Sequence, residues 1–342
     1  MKAAVVYGQN DIRIADVPVP APGPGEMLIK VRASGVCATD VKILGGSGLP
    51  AKLPSILGHE VAGTVESLGQ GVNAPRPGSR VAVYPIAACG SCYFCRNNHH
   101  SLCTTPFGLA HGVDGGFAEY LLVPKQIVDL GGIVEIGAMA FDLAAMIEPI
   151  SCCLSAAEMS RVGKGANVLI VGAGPLGLLH TIVSKAKGAT VIVSDINEER
   201  LTAAEAVGAD SVLNPDTADL KEEITRITGI GADVVIAALG IPAVIEKHMP
   251  LVRSRGVFNI FGGTPKGEMI CVDPRWIHYG EITLTGTFAA SLPQFRQACD
   301  FVGRNADLIL QVISARCALE DILAAVEAVK KGTALKTIIL FD

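Results

Sequence analysis

The sequence predicts an α/β protein of two domains, one β-rich and one a doubly wound parallel sheet. Three observations carry this. At 342 residues the chain exceeds what a single hydrophobic core ordinarily supports. Twelve of its nineteen prolines precede residue 151, where short apolar runs alternate with Gly/Pro turns, the texture of short strands and tight connections. Beyond residue 150, strand-length apolar runs alternate with helical patterns, as a parallel sheet requires.

In the first half, 28–31 and 81–83 read as strands. In the second, strands are expected at 167–171, 190–194, 233–237 and 256–261, with 211–213 and 281–284 completing six. Helices are expected over 174–187, 197–207, 218–228 and 242–252. From Gly286 the alternation loosens, with helices near 293–304 and 319–331 and a last strand over 336–341.

Half of the residues are apolar and 18% are charged, a balance that excludes a disordered chain. The 28 basic and 33 acidic residues leave a net charge of -5 without a run of like charge. This gives no footprint for nucleic acid or for an anionic membrane, so the expected partner is a small molecule. Gln9, Asn10 and Asp11 interrupt the opening apolar run before an export-signal core forms, which makes the cytoplasm the expected location. The uncharged stretch 166–184 holds Gly172, Gly174, Pro175, Gly177 and His180, and reads as a nucleotide turn rather than a membrane span.

That turn is specific. The run 168–171 is a strand entering Gly172-Ala173-Gly174-Pro175-Leu176-Gly177 and then a helix, the context a dinucleotide-binding (Rossmann) fingerprint needs. Gly172 permits the tight turn, Gly174 lets backbone approach a pyrophosphate, and Gly177 lets helix and strand pack closely. Asp195 ends the next strand, where a carboxylate accepts hydrogen bonds from the adenosine ribose and repels a 2′-phosphate, so NAD is the expected cofactor. Arg200 is a candidate to cover the adenine or ribose.

Cys89, Cys92, Cys95 and Cys103 have the spacing C-x2-C-x2-C-x7-C. Four thiolates so placed close a tetrahedron round one zinc and leave no position for substrate, which makes this metal structural. The fourth cysteine stands too far along, and without a following proline, for a bacterial-ferredoxin cluster. His99 and His100 read as exposed residues of this lobe.

Gly35-Val36-Cys37-Ala38-Thr39-Asp40, Gly58-His59-Glu60 with Gly63 and Gly69, the four-cysteine lobe, Asp114-Gly115-Gly116-Phe117-Ala118-Glu119-Tyr120, Glu148-Pro149 and the nucleotide fingerprint occur in this order. Across essentially the whole chain the sequence resembles the zinc-containing medium-chain dehydrogenase/reductase family, the alcohol dehydrogenase superfamily. The resemblance implies a GroES-like catalytic domain from 1–149 and 286–342 carrying the structural zinc lobe, a Rossmann NAD-binding domain over 150–285, and an active site in the cleft between them. It further implies a second, catalytic zinc held by Cys37 and His59 with Glu148 or Glu60, so two zinc ions per subunit. Asp40 is implied as the partner behind His59, and Thr39 as the hydroxyl that takes the substrate proton. A homodimer or homotetramer is implied as well.

Glu148-Pro149, where the best-known alcohol dehydrogenases place a cysteine ligand, resembles the sorbitol, polyol and threonine dehydrogenase branch. The expected reaction is reversible NAD-linked oxidation of a secondary alcohol, a sugar alcohol or polyol, to the ketone. The alternatives are a threonine-type or simple secondary-alcohol dehydrogenase, or a zinc- and nucleotide-binding relative without turnover. The chain departs from the branch at three places. Ala289-Ala290 replace the Arg-Tyr pair that sorbitol enzymes carry after G-x-F, Lys42 stands where many relatives have a relay histidine with Ile43 after it, and Asn98 occupies a common glycine position.

Overall fold

The computed structural model describes residues 1–46, 52–105 and 107–342. They divide into two compact units, Met1–Ser151 with Ala290–Asp342, and Cys152–Ala289.

The first unit is organised round the strand Met27–Val36. On one side it pairs antiparallel with Glu60–Leu68; on the other, Tyr120–Val123 takes its first half and Lys336–Leu340 its second. The sheet continues through Arg80–Val83 and Ile133–Glu135 at one end and Ile313–Cys317 at the other. Met27, Ile29, Val31, Val61, Val65, Val81, Val83, Leu121 and Val123 form one buried cluster. These are mostly β-branched or straight apolar side chains that suit a pleated surface, and full burial of each contributes about 1.5–3 kcal/mol.

The second unit is a six-stranded sheet, parallel throughout. Its spatial order is Ser211–Leu213, Thr190–Ser194, Asn167–Val171, Ala232–Ala237, Val252–Ile260, Thr283–Gly286. This is the doubly wound order, in which ligands bind where the first and fourth strands part company. Val168, Leu169, Ile170, Val235, Ile236 and Ala237 are fully buried, as strands covered on both faces must be. The uncharged stretch is divided between the strand Asn167–Val171 and the helix Pro175–Ala186. Among the described residues no helix is long and apolar enough to cross a membrane.

Several elements differ from expectation, the strand expected over 281–284 running instead over Thr283–Gly286. The helix expected over 242–252 ends at His248, because Pro250 cannot continue it; a short 3-10 turn Met249–Leu251 follows, and the next strand already starts at Val252. The helix expected over 319–331 is regular only from Ile322, after a 3-10 turn Leu319–Asp321. The helices Ile147–Met159, Pro274–Gly280 and Ala306–Val312 carry no clear periodic signal; the first is apolar nearly all round, so burial rather than one face specifies it.

His180 is fully buried in the helix Pro175–Ala186, edge-on to Phe261 with ring centroids 4.4 Å apart. No described protein group hydrogen-bonds either ring nitrogen, and burial pushes its pKa down to about 3. A folded-state pKa depressed below the ordinary 6.5 means that the unfolded chain binds the proton first, so stability falls as pH drops below about 6.5, by up to about 1.4 kcal/mol per pH unit. His180→Leu is therefore expected to raise Tm by about 2–5 °C near neutrality and by more at pH 5.5. Thermal unfolding at both pH values checks this; a variant gaining nothing at the lower pH refutes it.

Candidate metal centres and nucleotide turn

Cys37 caps the helix Ala38–Leu44: its Sγ accepts from Thr39 N at 3.4 Å, while Asp40 Oδ2 accepts from Cys37 N at 2.9 Å. The capping box thereby ties Asp40 down beneath the helix start, fully buried. Its second oxygen accepts from Gly58 N at 3.3 Å and lies 3.5 Å from His59 Nδ1. Burial alone would depress the His59 pKa; the Asp40 carboxylate, together with Cys37, more than offsets this and holds it well above 6.5. A carboxylate behind an imidazole fixes the ring and strengthens its other nitrogen as a ligand. Gly58, with φ of 92°, makes the turn that delivers His59 and Glu60; a Cβ there would strike the Phe117 ring at 2.7 Å.

Cys37, His59 and Glu60 each offer a ligand atom, and these lie within 4.8 Å of one another. One sulfur, one nitrogen and one oxygen make a donor set that fits zinc, and three protein donors are the number a catalytic zinc site carries. Glu148 lies outside this group, in the first turn of the helix Ile147–Met159. Thr39 is half-buried beside Cys37.

Sequence reasoning missed Lys336. Its ammonium forms an ion pair with Glu60 Oε2 and donates to Val36 O at 3.1 Å, with 5% and 1% of the two side chains exposed. Burial alone would lower the Lys336 pKa, but the charges of Glu60, Cys37 and Glu148 raise it instead, so the group stays cationic. The available signal was a lysine opening a last strand whose other residues, Thr337 apart, are apolar. Removing one partner of a buried pair costs about 3–5 kcal/mol, so this contact is not incidental.

In the lobe, Cys92 N donates to Cys89 Sγ at 3.3 Å, Cys89 N to Cys103 Sγ at 3.4 Å and Cys95 N to Cys92 Sγ at 3.5 Å. All four cysteines are free thiols whose sulfurs lie within 4.8 Å of one another. Cys95 Sγ is 3.8 Å from Cys89 Sγ and 3.4 Å from Cys92 Sγ, against about 3.8 Å for the edge of a zinc–sulfur tetrahedron. The set therefore fits a closed zinc site. Backbone amides bring the Cys89 thiol down to about 5 and Cys92 to about 7, whereas burial pushes Cys95 up to about 12. Asn98 sits at φ of 61°, the left-handed conformation that explains a glycine preference and that Asn tolerates best among other residues. His100 is buried, contrary to expectation, because Leu292 N and the Tyr84 ring edge pack over it; His99 is exposed.

At the nucleotide turn Gly172 has φ of 96°, and a Cβ on Gly177 would stand 1.8 Å from Gly172 O. A Cβ on Gly174 would meet nothing within 4 Å, leaving open the start of the helix that Pro175 and Leu176 begin. Asp195 does more than its position in sequence indicates: Oδ2 accepts from Ala173 N at 2.7 Å and Oδ1 from Asn197 N at 2.9 Å. The carboxylate is thus fastened to the glycine turn and aimed by it. Arg200 is half-buried, its amide donating to the Asn197 cap at 3.0 Å.

A β-rich unit with two candidate metal sites and a doubly wound unit with a dinucleotide turn are the parts from which zinc-containing, nucleotide-binding oxidoreductases are built. The model of the alcohol dehydrogenase GroES-like domain matches residues 23–131, and that of the zinc-binding dehydrogenase domain residues 175–304. Sorbitol dehydrogenase of Bacillus subtilis is 35% identical over 294 residues, 84% of this chain and 82% of that protein. L-threonine 3-dehydrogenase of Pyrococcus abyssi is 39% identical over 272 residues, 78% of this chain and 75% of that one. A crystal structure described as a zinc-binding dehydrogenase of Sinorhizobium meliloti, bound to NADP, has a TM-score of 0.91 at 31% identity and covers 99% of both chains. The chain belongs to the zinc-containing medium-chain dehydrogenase superfamily, and its function is of the alcohol dehydrogenase type.

Proposed function

We propose that this protein is a zinc-dependent, NAD-linked dehydrogenase that reversibly oxidises a secondary alcohol, a sugar alcohol or related polyol, to the ketone. The observation that carries this is the grouping of Cys37, His59 and Glu60, whose ligand atoms lie within 4.8 Å of one another and number one fewer than a tetrahedral zinc takes. In this reading those residues, with Glu148 as the alternative carboxylate, hold the catalytic ion, and Cys89, Cys92, Cys95 and Cys103 hold a structural one. When bound, zinc supplies the Lewis acidity that brings an alcohol hydroxyl within reach of deprotonation near neutral pH, and NAD accepts the hydride.

The chain's own groups do the rest. Asp40 keeps the His59 ring oriented, and the Thr39 hydroxyl takes the substrate proton. Lys42, not an imidazole, is the next polar side chain along that helix. Asp195 accepts the ribose hydroxyls and repels a 2′-phosphate, which supports NAD even though the Sinorhizobium relative binds NADP. Arg200 covers the adenosine end. The sorbitol relative and Glu148-Pro149 support a polyol; Ala289 and Ala290 offer that substrate no hydrogen bond from their side chains, so its remaining hydroxyls must be met by other groups. Identity with the Pyrococcus enzyme favours L-threonine as the second reading.

The test is NADH absorbance while zinc-loaded protein and NAD meet polyols, simple secondary alcohols and threonine, repeated with NADP and after chelation. Chelator-sensitive turnover of polyols with NAD is expected. Silence over the whole panel from protein that holds zinc and binds NAD would instead favour a relative without turnover.

A further inference from the structure

The ion pair between Lys336 and Glu60 crosses the central strand of its sheet at a residue without a side chain. Glu60 opens the strand on one side of Met27–Val36, and Lys336 opens the strand on the other. Gly35 is the register partner of Glu60 on the first side and of Ile338 on the second. A Cβ at residue 35 would stand 1.8 Å from Glu60 Oε2 and 3.1 Å from Lys336 Cε. Glycine is therefore what lets the carboxylate and the ammonium meet across the strand. The ammonium also holds the carbonyl of Val36, the residue before Cys37. Lys336 thus touches one residue of the metal group and the backbone beside another.

A buried carboxylate with one cation on either side divides its charge between them, and deprived of one it turns wholly to the other. We propose that Lys336 competes with the bound metal for the Glu60 carboxylate, and that this competition keeps a coordination position available for the substrate oxygen. Lys336 is a positioning residue that acts through Glu60, and Gly35 is the gap through which it acts. The inference rests on the reading that Cys37, His59 and Glu60 hold the catalytic ion.

The experiment is a double-mutant cycle read by metal binding rather than by turnover. Wild type, Lys336→Met, Glu60→Gln and the double variant are titrated with zinc against a chromophoric chelator, and cobalt(II) is added to report ligand geometry through its visible bands. Lys336→Met is expected to tighten the catalytic metal by about 3- to 100-fold and to shift the cobalt spectrum, the range that coupled neighbouring groups span. In the Glu60→Gln background the same substitution should change affinity little. An equal tightening in both backgrounds would mean that Lys336 acts only through its field, and no tightening in either would mean that it does not compete; both overturn the proposal. Lys336→Gln, uncharged but able to hydrogen-bond Val36 O, repeats the cycle should the methionine variant not fold. If wild-type protein takes metal at the four-cysteine lobe alone, it is the functional reading that fails.

Discussion

His59→Ala should yield a folded protein that keeps the metal of its four-cysteine lobe, loses the other, and turns over at least about 1,000-fold more slowly. The magnitude follows from what the ion supplies: several kcal/mol of transition-state stabilisation, at about 1.4 kcal/mol per tenfold in rate. The selectivity follows from geometry. His59 provides the only nitrogen in a group of three donors. Without it, a sulfur and a carboxylate that Lys336 already claims are left to hold the ion. The lobe has its own sulfurs, tied by their own backbone amides, and should not notice. Metal content per subunit, measured beside NADH production on the best substrate, checks both halves. Turnover that survives with the metal gone would remove Cys37, His59 and Glu60 from the chemistry; loss of both metals would mean that the sites are not independent.

Asp195 carries the second large effect, and the structure separates its two jobs. One is structural, since Oδ2 accepts from Ala173 N and so holds the glycine turn against the next strand. The other, in the proposed function, is electrostatic: its charge is to meet the ribose hydroxyls of NAD. Asp195→Asn keeps an acceptor for Ala173 N while removing the charge and the acceptor for Asn197 N; Asp195→Ala removes all three. A hydrogen bond to a charged group contributes about 1.5–3 kcal/mol, so the asparagine variant should bind NAD about 10- to 100-fold more weakly and NADP no worse. The alanine variant should lose affinity for both, because the turn itself loosens. Fluorescence titration of the two nucleotides against each variant measures this. A ratio of NAD to NADP affinity unchanged in both variants would take Asp195 out of cofactor selection.

The parts legible in the sequence are those whose signal is local. The lobe was legible because four cysteines within fifteen residues can reach one ion whatever the rest of the chain does. The nucleotide turn was legible because a strand, three glycines and a helix start are adjacent in sequence, and the close approach that Gly177 permits is to Gly172 O within that same segment. The six strands of the second unit were legible as apolar runs because both faces of a parallel sheet are covered. By contrast, the ligand set of the other metal group came from resemblance, which left Glu60 and Glu148 as equals.

Tertiary structure decided what long-range register decides. Glu60, and not Glu148, shares a group with Cys37 and His59, because the strand that Glu60 opens pairs with the strand that leads into Cys37. Lys336 reaches Val36 across 300 residues of chain, through a gap that only cross-strand pairing reveals in an otherwise ordinary glycine. Asp195 reaches back to the glycine turn because neighbouring parallel strands bring their ends together, as the bond from Gly172 N to Ser194 O shows. In each case the deciding contact depends on which strand lies beside which and in what register, a result of many weak contacts summed over a whole sheet. No single residue states that sum, so spacing along the chain could not contain it.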